Sequence, residues 1–191
     1  MNKNESGAHF HMADVRPKQL TARRAVAVGE FAPGDAYEAV VTGQLPKGNA
    51  LLLAEIAGLQ GAKNTSQTIP LCHPLSLEYV NVSCEAVASR RVIRVYAEAA
   101  AFARTGVEME ALAGVSAALL TLYDLTKPVQ PALGFGSVRL LFKEGGKKGL
   151  WMHPDGISDA ERARFQPSSA VPPRGTQEEK DKAESTSGVS V

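Results

Sequence analysis

The sequence predicts an α+β domain of the ferredoxin-like, split βαβ kind: an antiparallel sheet with helices on one face. Three observations predict it. Stretches of apolar–polar alternation stand before, between and after longer stretches of helical period. Two of the alternating stretches are separated only by a short polar turn at Ser89-Arg90, which marks a hairpin. The order strand, helices, strand, strand, helix, strand then sets two βα units around one antiparallel sheet.

Each element has its own signal. "RRAVAVGEF" (23–31) alternates like a half-buried strand. "PGDAYEAVVTGQL" (33–45) reads as a helix, with Pro33 near its start and Gly43 near its end. After the turn "PKG", Asn49 is placed to cap a second helix, "ALLLAEIAGLQGAK" (50–63). "LSLEYVNVSCEAVA" (75–88) and "RVIRVYAEAAAFA" (91–103) form the hairpin. "TGVEMEALAGVSAALLTLYDLTKPV" (105–129) is the longest helical pattern, with Val107, Ala111, Leu112, Val115, Leu119 and Leu122 on one face. Thr105 and Glu108 have the spacing of a capping box at its start. "SVRLLFKEG" (137–145) closes the body as a strand.

Composition sets the outer limits. The 191 residues suit one domain with tails. Residues 1–11 are polar and aperiodic, 12–152 form the expected folded body, and 153–191 are rich in Pro, Ser, Gly and charge. That last segment is expected to be a disordered tail, with a turn or two of helix allowed to "SDAERARF". A net charge of +1 gives no field for nucleic acid or a membrane surface. No stretch approaches the roughly 18 apolar residues of a membrane span. "MNKNESGAHFHM" lacks the apolar core of a signal peptide, and two cysteines make no disulfide scaffold, so a cytoplasmic setting is expected.

The chemistry-bearing stretches are few. "IPLCHPL" fences Cys72 and His73 between Pro70 and Pro74. Neighbouring residues in extended backbone point to opposite faces, so the pair neither chelates one metal ion nor forms a thiol–imidazole couple; no metal is expected. Two readings stay open for His73: a core histidine held by a hydrogen bond, or a polar group positioned at a pocket by the stiff prolines. "YDLTK" sets Asp124 and Lys127 at i, i+3, either a surface ion pair or a coupled acid and base. Glu110, beyond the capping box, is left without a structural role. It lies fourteen residues from Asp124, about 21 Å along a straight helix. One small reacting centre therefore cannot touch both within a subunit. Gly114, Ala117 and Ala118 between them allow close approach of another backbone or packing on the sheet. "KEGGKKG" (143–149) is a basic glycine loop that is no Walker motif.

Taken together, "PKGNALLLAEIAGLQGAKNTSQTIPLCHPLSL", "RTGVEMEALAGVSAALLTLYDLTK" and "VRLLFKEGGKKG" resemble the molybdenum cofactor biosynthesis protein C family of cyclic pyranopterin monophosphate synthases. "HMADV" looks like that family's opening segment, and the likeness runs from about residue 11 to 149. The resemblance implies a lyase that converts a cyclised dihydro-GTP, still bearing its triphosphate, to cyclic pyranopterin monophosphate and diphosphate. It implies a homohexamer, a trimer of dimers with sites at subunit interfaces, and no cofactor. By family likeness Asp124 is the catalytic carboxylate, Lys127 its acid/base partner, and Lys47 a phosphate-contacting or catalytic cation. Leu71, Cys72 and His73, with Glu108, Met109 and Glu110, match substrate-contacting segments, which makes the Pro-fenced pair a pocket wall. The chain departs from the family pattern at Asn49, Asn64, Ala103 and Thr126. The loss of a cation at 64 motivates a rival reading, a non-catalytic paralogue that binds a nucleotide or pterin.

Overall fold

The computed structural model describes residues 10–168. Five strands, β1 (Thr21–Ala32), β2 (Tyr79–Val87), β3 (Val92–Ala103), β4 (Gly134–Glu144) and β5 (Trp151–Met152), form one sheet in the order β2-β3-β1-β4-β5. Every pairing is antiparallel. The helices are α1 (Tyr37–Val41), α2 (Ala50–Lys63), α3 (Thr65–Thr68), α4 (Glu108–Thr126) and α5 (Asp159–Phe165). This is an α+β fold, with the hairpin β2–β3 on one side of central β1 and the return strand β4 on the other.

The two long helices cover one face. Ala25, Ala27 and Phe31 of β1 join Ile93, Val95 and Ala97 of β3 beneath Val115, Leu119 and Leu122 of α4. α2 then lies along α4 at backbone-contact distance. Its inward stripe is Ala50, Ala54, Gly58 and Ala62, and a Cβ on Gly58 would come within 3.0 Å of the Gly114 carbonyl oxygen. The small residues of α4 therefore receive a helix of the same chain. Because the inward positions are small, the bulky side chains of α2 point out: Leu52, Leu53 and Ile56 are 54%, 39% and 49% exposed.

Local chemistry explains where the elements start and stop. The Asn49 side-chain oxygen accepts from the Leu52 N–H at 3.1 Å, and α2 runs over the expected residues. The helix expected at 33–45 is shorter: a 3-10 turn at Gly34–Ala36 leads into the five residues of α1. Gly43, at φ +69°, turns the chain just beyond its end. The expected capping box does not form at α4, whose N-cap is Val107 with no side-chain cap bond. Glu108 instead accepts from Lys143 Nζ at 2.5 Å, and its carboxylate folds back over Gly106. An ion pair with β4 has outcompeted the local bond.

The other face of the sheet is covered as well. Ser158 and Glu161 make a reciprocal capping box that starts α5. Phe165, only 5% exposed, packs with Val26, Val28, Tyr96 and Phe142. β1 is thus buried on both faces along Ala25–Val28, more deeply than its alternation alone suggests. The expected body ended at 152; the chain continues in order along the back of the sheet to 168. Residues 1–9 and 169–191, on which the rest of the two expected tails falls, lie outside the described residues.

Candidate active site

The turn Leu45–Gly48 sets Lys47 at the start of α2, beside the end of the antiparallel α4. Lys47 Nζ donates to Asp124 Oδ2 at 2.9 Å and Lys127 Nζ to Asp124 Oδ1 at 2.7 Å. The three residues expected to be catalytic are thereby brought together, one lysine on each carboxylate oxygen. Lys127, then Lys47, holds the Asp124 carboxyl down to about 2, and Asp124 in turn raises Lys127. All three side chains are about half exposed.

At the opposite end of α4, a cavity of about 330 Å³ is lined by Leu71, Cys72 and His73 together with Glu108, Met109 and Glu110. All six residues expected to contact substrate meet here. Glu110 is nearly buried, at 4% exposure. Its carboxyl is pushed up, by burial first, while its own backbone amide pulls it down and the nearby Glu108 charge adds to the rise. Cys72 is raised too, by burial and then by Glu110. That disfavours the thiolate a nucleophile requires and fits Cys72 as wall rather than reagent. Among the described residues no cluster of three or more metal-ligating side chains exists.

The structure does not bring the two groups together within one chain. α4 keeps Glu110 and Asp124 about 21 Å apart, and neither Lys47, Asp124 nor Lys127 lines the cavity. Next to that cavity, however, and sharing Thr105, Gly106 and Glu108 with it, lies a groove of about 930 Å³. Seven cations line it: Lys18, Arg23, Arg24, Arg104, Lys143, Lys147 and Lys148, against the carboxylates Asp14, Glu108 and Glu144. Each of these carboxylates already has a partner, in Arg16, Lys143 and Arg24. The surplus of positive charge suits a polyanion. Sequence reasoning saw the lysines of "KEGGKKG" as a loop and missed Lys18, Arg23 and Arg24. Cations scattered over a loop and a strand carry no local motif; Lys18 precedes β1, and the pairing of β1 with β3 and β4 sets Arg23 and Arg24 beside the lysine turn. Asn64, the departure of most concern, lines neither cavity; it ends α2.

A family model described as "MoaC family" matches residues 12–146. The chain belongs to the MoaC family. Relatives agree with this assignment. Over 145 residues the MoaC-family chain is 51% identical to the molybdenum cofactor biosynthesis bifunctional protein of Synechococcus elongatus, a match that spans 75% of this chain and 45% of that longer protein. It is 45% identical over 151 residues to cyclic pyranopterin monophosphate synthase 2 of Mycobacterium bovis, covering 78% of this chain and 89% of the relative. The same identity holds over 148 residues with the cyclic pyranopterin monophosphate synthase of Novosphingobium aromaticivorans, covering 77% and 93%. The matched stretch holds both clusters and nearly all of the basic groove; α5 lies beyond it.

Proposed function

We propose that the chain is a cyclic pyranopterin monophosphate synthase, which converts cyclised dihydro-GTP to cyclic pyranopterin monophosphate and diphosphate. The observation that carries the reading is the Lys47–Asp124–Lys127 arrangement in a chain of this family: one carboxylate with an ammonium on each oxygen. Rearranging a fused ring system moves protons between carbon, nitrogen and oxygen, work for which an adjacent carboxylate and amine are suited. Asp124 takes and returns protons, Lys127 serves as its acid partner, and Lys47 turns to phosphate. When a ring hydroxyl of the substrate closes on the α-phosphorus, the α–β phosphoanhydride bond breaks and diphosphate leaves. Lysines stabilise the charge that develops there. Leu71, Cys72, His73, Met109 and Glu110 bind the ring system, and the basic groove beside Glu108 takes the triphosphate.

The distance along α4 supports a site completed by another copy of the chain. We read the assembly as a homohexamer, a trimer of dimers, with the Asp124 cluster of one copy closing over the His73 cavity of its neighbour. The outward leucines of α2, which start five residues after Lys47, suit a face that association covers. The strand order, with β1 and β3 central, fits the ferredoxin-like arrangement, and a cytoplasmic enzyme fits the same reading.

The test is turnover of the cyclised dihydro-GTP by the purified protein, with product and diphosphate both quantified. Asp124→Asn and Lys127→Ala are expected to abolish product while leaving the oligomer intact by light scattering. Full turnover by both variants would refute the assigned roles.

A further inference from the structure

α5 lies past the family-matched stretch, on the side of the sheet away from α2 and α4, and none of its residues lines either cavity. Its end nevertheless grips two residues that do line the basic groove. The Phe165 carbonyl accepts from Arg24 Nη2 at 2.6 Å, and the Ser168 N–H donates to the Glu144 carboxylate. Arg24 also donates from Nε to Glu98 at 2.6 Å and from Nη1 to Glu144 at 3.4 Å. Its guanidinium lies 5.2 Å from the centre of the Phe142 ring. The grip is firmly founded: Phe165 is buried against Tyr96 with ring centres 5.3 Å apart, and Arg164 donates to Ser83 Oγ at 2.6 Å.

The residues just beyond Glu144 give this contact its meaning. Gly145 and Gly146 turn at φ +95° and +69°, pressed against the Ala22 carbonyl and the Arg23 guanidinium. Lys147 and Lys148 come next and line the groove. Glu144 is therefore the stem of the basic turn. It is also, with Asp14 and Glu108, one of three carboxylates in the wall of a mainly cationic groove, where an unpaired charge would repel a phosphate.

We propose that α5 and residues 166–168 brace the basic groove for a ligand bearing a chain of phosphates. They hold Arg24 and Glu144 from behind, which fixes the stem of the lysine turn and keeps the carboxylate that would oppose the ligand hydrogen-bonded and paired with Arg24. Phe165, through its carbonyl, and Ser168, through its amide, are positioning residues. The inference rests on the reading of the groove as a polyphosphate site.

Two substitutions at one position separate the brace from ordinary structure. Ser168→Pro deletes the N–H that serves Glu144, whereas Ser168→Ala keeps it; neither touches the buried contacts of α5. Binding of inorganic tripolyphosphate to the full chain and to the two variants is followed by calorimetry. The expected result is unchanged affinity for Ser168→Ala. Ser168→Pro should weaken binding about tenfold, the lower end of the scale of one hydrogen bond to a charged group. With the cyclised substrate, KM should rise with kcat unchanged. Equal affinity of Ser168→Pro and the full chain overturns the brace, as does a full chain that does not bind tripolyphosphate. Binding weakened by Ser168→Pro in a protein without turnover supports the brace and removes the lyase reading alone.

Discussion

Gly61 offers a sharp test of the contact between α2 and α4. A Cβ built there would lie 2.5 Å from the Ala117 Cβ and 2.8 Å from the Ala113 carbonyl oxygen. Neither atom can rotate aside, so the helices must separate by several tenths of an ångström or more. Gly58 meets Val82 Cγ1 at 2.7 Å, a side-chain atom with some freedom, and Gly114 meets the Ala97 Cβ at 3.1 Å. All three lie inside helices, where Gly→Ala contributes about 1 kcal/mol through propensity. Overpacking costs about 1–3 kcal/mol. Gly61→Ala should therefore destabilise by about 1–2 kcal/mol net, which lowers Tm by about 2–8 °C for a chain of this size. Gly58→Ala should cost less, and Gly114→Ala should be near neutral. Thermal unfolding of the three variants under one buffer gives the ranking. A Gly61→Ala protein as stable as its parent would refute backbone-distance packing of these helices, and with it the physical reason for the outward leucines of α2.

Two more outcomes are expected from side chains at the end of α4. Thr126 is 0% exposed and its hydroxyl has no hydrogen-bond partner. A buried unpaired hydroxyl costs about 1–3 kcal/mol, so Thr126→Val should raise stability by about 1 kcal/mol and Tm by about 2–4 °C, and a lower Tm would contradict the orphaned geometry. Asp124, held down to about 2 from an ordinary 3.8, should show a carboxyl titration near the lower value by carbon-13 NMR, and Lys47→Ala or Lys127→Ala should raise it. The sign comes from the depressed folded value: its ion pairs support the fold above the unfolded value and lose that support as pH falls towards about 2. Asp124 accordingly contributes no limb to a pH–rate profile in the neutral range. A midpoint at the ordinary carboxylate value in the parent protein would mean that the lysines are not seated on it.

The periodic elements are legible because their signals are local. Asn49 caps α2 where its side chain and the following alanines and leucines indicate, and Val107, Ala111, Val115, Leu119 and Leu122 bury the face that their spacing marks. Thr105 and Glu108 show the limit of the same reasoning. Their spacing fits a cap, but Lys143, thirty-five residues away in sequence, offers Glu108 a full charge, and no local rule registers that competitor. Distance in sequence also hides the groove, since Arg23, Arg24 and Lys143 meet only through the register of β1 with β4. α5 is easily underestimated for a related reason. A seven-residue helix with one buried aromatic has little periodicity to read, and its support comes from Tyr96 and Arg24 on a distant hairpin and strand. The gathering of Asp124 with both lysines is visible in part. Lys127 is a turn away in sequence, whereas Lys47 reaches it only because α2 runs back along α4.

The bare start of α4 has a consequence for how the helix is held. Most helices silence their leading amides with an oxygen from a nearby side chain, an arrangement worth about 1 kcal/mol. Here that reinforcement is missing at the one wall, Thr105 to Glu108, on which two concavities meet. The longest helix of the molecule is thus anchored at its start by the salt bridge from Glu108 to Lys143 of β4 rather than by a cap. Its first turn accordingly depends on a residue of a distant strand for its anchorage, so that loss of Lys143 would unsettle the rim which both concavities share.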